Sequence, residues 1–182
     1  MKDLRRRLLS WWWDYLAILA WLAVTTLVIG LASAAGWIDL MPIWSRPIAA
    51  ELFIPLITVV PYFIYLVVTE SGPAHATWGK RRSHLVVGNA DGSVARPGRI
   101  VVRNLVKVLP WQFGHMAAMR FATGAQIGLA AAFNTMSLIL LIAVAGPALA
   151  GRRGLHDRIA GTSVQALPDP TSPESEEHEH QR

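Results

Sequence analysis

The chain of 182 residues is 53% hydrophobic and only 16% charged, with eight tryptophans and a formal net charge of +5. That balance excludes an ordinary soluble domain, and the absence of cysteine excludes a disulfide framework, a thiolate metal site and a thiol nucleophile. Charge is also segregated: residues 1–167 hold sixteen Lys/Arg against seven Asp/Glu, whereas the last fifteen hold five acids and one base. Because the bases lie between long apolar runs, anionic lipid head groups, not nucleic acid, are the expected partner.

The first predicted element follows a basic start, Lys2 and Arg5-Arg6-Arg7, and runs from Leu8 to Ala35 with Asp14 as its only charge. Signal-peptide apolar regions are about 7–15 residues long, so this longer run reads as a retained transmembrane helix. Trp11-Trp12-Trp13 at one end, with Trp37 and Trp44 beyond the other, read as two interfacial belts. A second span is expected over about 48–69, starting near Glu51 and containing Pro55 and Pro61, which membrane bundles tolerate. A third covers Phe121–Ala150, with no charge in thirty residues. All three meet the length of ~20 apolar residues needed to cross a bilayer.

Counting bases sets the expected orientation. Residues 1–10 hold four Lys/Arg, 36–47 only Arg46, and 70–107 seven, so the N-terminus and the 70–107 region belong in the cytoplasm. Arg152, Arg153 and Arg158 also belong there, which three crossings do not allow. The conflict is relieved if residues 97–121 form a fourth embedded segment, with Arg103 and Lys107 on one helical face; the alternative is an amphipathic helix flat on the membrane. The polar stretch Glu70–Pro97 offers a short strand at His84–Val87 and a turn pair at Asp91-Gly92. Gly161–Leu167 offers another extended run, and the two are expected to pair. From Pro168 the chain is rich in Pro, Ser and Glu and reads as a disordered acidic tail. The expected fold is an all-α polytopic membrane domain over 1–167, with a short cytoplasmic β-like hairpin and a tail over 168–182.

Several features together resemble the RDD family of bacterial membrane proteins. They are Arg7 seven residues before Asp14, Ala76-Thr77-Trp78-Gly79-Lys80-Arg81, Asp91-Gly92, Arg103-Asn104-Leu105, and the close Gly154-Leu155-His156-Asp157-Arg158-Ile159-Ala160-Gly161-Thr162. The resemblance covers roughly residues 5–166. It assigns the family's arginine and first aspartate to Arg7 and Asp14, and the second aspartate to Asp157, with Asp91 as the alternative. It implies a multi-pass protein of the bacterial inner membrane, in a family where some members are described as ion or proton antiporters. Two features depart from the pattern: His84 stands where many relatives have glycine nearby, and Pro110–His115 lengthens the path to the last span.

Asp14 is the most informative candidate, since an aspartate at a helix centre costs on the order of 2.5–3.5 kcal/mol to insert. It reads as an ion or proton carrier or as half of a buried ion pair. Arg7 leans away from it along the helix, so the expected partner is Arg103 or Lys107. Asp157 reads as a gate or as an anchor to the basic 79–107 region, and His115 as a proton relay. The candidate path or ion-pair network is therefore Arg7, Asp14, Arg103, Asn104, Lys107, His115 and Asp157. The six histidines lack metal-ligand spacing, and His178 and His180 alternate with acids in the tail, so neither a metal nor a cofactor is expected. Gly124 and Gly128 form a small-xxx-small pattern at the start of the last span. With no nucleophile–base constellation, an enzyme is not expected. Two function classes remain: a transporter component for ions or protons, which needs a homo-oligomer, or a non-transporting accessory subunit of a larger membrane complex.

Overall fold

A computed structural model describes residues 2–124 and 126–167. The acidic tail, with His178 and His180, lies outside the described residues. Helix α1 (Lys2–Ala34) continues about two turns N-terminal of the apolar run. Ser10 and Asp14 are its only fully buried positions among the described residues, while Leu8, Leu19, Val24, Leu27 and Leu31 point outward. This inverts the soluble pattern, as expected when the surroundings are lipid.

A short helix α2 (Met41–Trp44) leads into an interrupted crossing, α3 (Pro47–Ile57) and α4 (Val59–Ser71). The break at Thr58 follows from the prolines. Pro61 has no N–H to give the Ile57 carbonyl, four residues back, and the indole Nε1 of Trp21 in α1 donates to that carbonyl at 3.0 Å. Tyr62, Phe63 and Tyr65 pack around the small apolar core of Val59, Leu66 and Val108.

Helix α5 (Trp78–Arg82) and strand β1 (Leu85–Asn89) precede α6 (Pro97–Thr123) and α7 (Ile127–Leu149). The charge-free run Phe121–Ala150 is thus not one helix. Gly124 closes α6 at φ +68°, and Gln126 also takes a left-handed conformation before α7 starts. Gly124 and Gly128 consequently sit on different helices and form no common small-residue face. Helix α6 is continuous through Pro110, whose carbonyl accepts from Ser137 Oγ of α7 at 2.7 Å. It packs along α7 and against α3 and α4.

The chain ends in α8 (Leu155–Ala160) and β2 (Thr162–Ala166). The two strands pair antiparallel with Val87 opposite Val164, so the expected pairing forms, but between distant segments and not as a hairpin. A single bridge, Gly88 to Val94, marks the turn at Asp91-Gly92. Three helical stretches, Asp3–Ala34, Ile48–Ser71 and Ile127–Leu149, are long and apolar enough to cross a membrane.

Candidate functional site

The sheet end of the bundle buries charge instead of hydrocarbon. Arg103 is 1% exposed and Glu70 0%, which places them among the most deeply buried side chains of the protein. An isolated ion in such a place would cost several kcal/mol, so its partners decide whether the arrangement stands.

The acid of α1 is held by α5. Thr77, at the helix N-cap, donates its hydroxyl to Asp14 Oδ2 at 2.7 Å, and the Gly79 backbone N–H donates to Oδ1 at 2.9 Å. Only glycine fits at position 79, because a Cβ there would collide with the Ser10 carbonyl and the Asp14 carboxyl. Among the described residues, the cation that pairs with Asp14 is Lys80, 3.9 Å away. Asp14 is therefore not paired with Arg103 or Lys107, as expected from the sequence; those side chains belong to α6, whereas α5 docks directly on α1.

Lys80 reaches on to Glu70 Oε1 at 2.9 Å, at the end of α4. The other Glu70 oxygen accepts from Arg103 Nη1 at 2.6 Å and Asn104 Nδ2 at 2.9 Å. Arg103 Nε then donates to Asp157 Oδ1 at 2.9 Å, an oxygen that also accepts from Thr162 Oγ1 at 2.8 Å. The result is a chain of alternating sign, Asp14–Lys80–Glu70–Arg103–Asp157, that links α1, α5, α4, α6 and α8. The links from Lys80 to Asp157 are charge-assisted bonds of the strong kind, whereas Lys80 and Asp14 make a looser ion pair.

Electrostatics at the α8 end follow from burial and from Arg103. Desolvation lowers the His156 pKa from 6.5 to about 3, reinforced by the Arg103 guanidinium, so its imidazole is neutral beside Asp157. Burial alone would raise the Asp157 carboxyl, but the Arg103 guanidinium outweighs it and holds the group at about 2. Burial likewise lowers the Lys80 ammonium, with Glu70 opposing. Asp91 lies apart at an exposed turn, where it accepts from the hydroxyl and backbone N–H of Ser93.

A cavity of about 230 Å³ opens beside the chain of ions, and Arg7, Asp14, Lys107 and Asp157 are among its lining residues. Arg7 does not face Asp14 as an ion-pair partner; its Nη2 donates to the Val164 carbonyl of β2 at 3.1 Å. Further along α6, His115 borders a small cavity of about 70 Å³ with Thr58, Tyr62 and Trp111. At the far end Arg120 pairs with Glu51 of α3 and lies over the Phe133 ring at 4.9 Å. Trp13 packs edge-on against Trp78 with Arg82 over its face.

The family model of the RDD family matches residues 2–161. The chain belongs to the RDD family. Neither a curated protein nor a solved structure matches it. In this RDD protein the residues assigned above to the name-giving arginine and aspartates, Arg7, Asp14 and Asp157, all line the one cavity, and Asp91 does not. The hub itself, Glu70, was not among the sequence candidates, nor were Thr77, Lys80 and Thr162 in this role. Glu70 stands just past the expected span and reads as an interfacial acid, although it is the only acid between Glu51 and Asp91. Lys80 is hidden within the run Lys80-Arg81-Arg82, which reads as a topology signal.

Proposed function

We propose that this RDD membrane protein is a transport component that moves ions or protons along one face of α6. The observation that carries this reading is the order of side chains on that face. Arg103, Lys107, Trp111 and His115 follow at intervals of four residues, and Arg120 lies five beyond. Opposite them stand Glu70, Tyr62, Thr58 and Glu51 of the interrupted α3–α4 crossing. Seventeen residues of helix rise about 26 Å, close to the ~30 Å hydrocarbon core, so ionisable groups are spaced across most of a bilayer. Such residues inside a membrane mark ion and proton paths by default. The cavity at His115 is bordered by Thr58, Tyr62 and Trp111, polar groups that could hold water beside the imidazole. In this reading α6 crosses the membrane, the sheet end and both termini are cytoplasmic, and copies associate to complete the path.

Asp14 is a poor probe of this function, because its carboxylate holds α5 in place through Thr77 and Gly79. His115, which makes no ion pair among the described residues, is a better one. In proteoliposomes with an internal pH dye, wild type is expected to dissipate an imposed proton gradient against a counter-ion. His115→Ala is expected to slow it about a hundredfold, the low end for loss of a proton-transfer group, with folded amount unchanged. Silent wild-type vesicles would favour the accessory-subunit reading, which draws on the outward apolar surface of α1.

A further inference from the structure

The cavity beside the ion chain has a polar end and an apolar end, and its charges do not balance from within. Arg7, Lys80, Arg103 and Lys107 line it against Asp14 and Asp157. Lys80 and Arg103 are already committed to carboxylates. The Lys107 ammonium has no hydrogen bond or ion pair among the described residues, although the side chain is largely enclosed. Arg7 spends one N–H on the Val164 carbonyl and has four others to offer. A half-buried ammonium without a carboxylate partner, in a cavity it shares with Arg7, leaves both room and positive charge for an anion.

The shape says which anion. On α1 the lining residues run from Arg7 through Trp11 to Ile18, eleven residues or about 16 Å of helix. On α7 they are Leu141, Val144, Ala145 and Ala148, one apolar face. The polar end is therefore level with the basic start of α1, and the apolar end points along the helices into the bilayer. Trp11, Tyr15 and Leu141, at the edge, are each more than a third exposed, so the cavity is open between α1 and α7 towards lipid. We infer that it binds the phosphate of an anionic phospholipid from the adjoining leaflet, held by Lys107 and Arg7, with the start of an acyl chain laid on the α7 face. At about 230 Å³ it holds the phosphate and the first methylenes, and the rest of the lipid stays in the bilayer. The inference does not depend on ion flux, so an inactive protein with a selective site, or the reverse, separates the two proposals.

The test uses delipidated full-length protein in neutral detergent, titrated by native mass spectrometry with phosphatidylglycerol and phosphatidylcholine of identical chains. Wild type is expected to prefer phosphatidylglycerol about tenfold, as for one charge-assisted contact. Lys107→Gln is expected to abolish that preference, and Lys107→Arg to keep it. Ala145→Phe, which fills the apolar wall, is expected to weaken phosphatidylglycerol binding with all charges in place. Should Lys107→Gln not fold, Arg7→Gln serves as the charge variant. Equal binding of both lipids by wild type, or a preference that survives loss of the charge, overturns the proposal. So does displacement of the lipid by millimolar inorganic phosphate together with unchanged binding in Ala145→Phe, which would mark a site for a free anion.

Discussion

Glu70 shows how one residue can be indispensable to this arrangement without drawing attention in the sequence. Its two oxygens answer Lys80, Arg103 and Asn104, all buried. Among the described residues, neutralising it leaves Lys80 with only the Asp14 carboxylate, at 3.9 Å, and Arg103 with only that of Asp157, and removal of one partner from a buried pair costs about 3–5 kcal/mol. Glu70→Gln is accordingly expected to lower the melting temperature in detergent by far more than a charge change at exposed Asp91, and equal effects would show that the ion chain does not hold the fold. The α8 end adds a pH dependence whose sign is set by its two shifted groups. Between pH 6.5 and about 3 the unfolded chain binds a proton at His156 that the folded protein refuses, so stability falls as pH drops through that window. The Asp157 contribution is full above about pH 4 and is lost as pH falls from 3.8 towards 2. Acid unfolding followed by tryptophan fluorescence is expected to flatten between pH 6 and 4 in His156→Gln. An unchanged slope would place the titrating group elsewhere.

At the scale of elements, each break in a helix is matched by a donor or acceptor from another. The Ile57 carbonyl, orphaned by Pro61, takes its hydrogen bond from Trp21, and an unpaired carbonyl in hydrocarbon would be costly. Trp21→Phe is expected to destabilise by about 1–3 kcal/mol. In a Pro61→Ala background, which restores an N–H to that carbonyl, the same change is expected to be nearly neutral. A double-mutant cycle in detergent measures the coupling, and additive effects would rule out this pairing. The strand pair follows a similar logic from further apart. Extended runs at His84–Val87 and Gly161–Leu167 are legible because each is short, β-branched and bounded by turn residues. Their pairing was inferable from the base count, which wants both on one side. The boundary between α6 and α7 was not legible, because Phe121–Ala150 is apolar throughout and the turn depends on Gly124 and Gln126 adopting left-handed backbone.

At the scale of the whole molecule, the protein is apolar outside and charged inside at one end. Two features were written into the chain itself: three apolar stretches of membrane length and the family motifs from Arg7 to Thr162, both of which depend only on local composition and spacing. The bases of residues 1–10, 70–107 and 151–158 likewise set out an orientation to be tested. Which charges meet was decided by tertiary structure. Asp14 pairs with α5 and not α6 because Gly79 lets that short helix come against α1, an approach that no periodicity announces. Arg103 turns to Glu70 and Asp157 because α6 is wedged between α4 and α8. Hydrophobic length is a property of consecutive residues, so sequence carries it; the partner of a buried ion is a property of folded proximity, fixed only once the helices have packed.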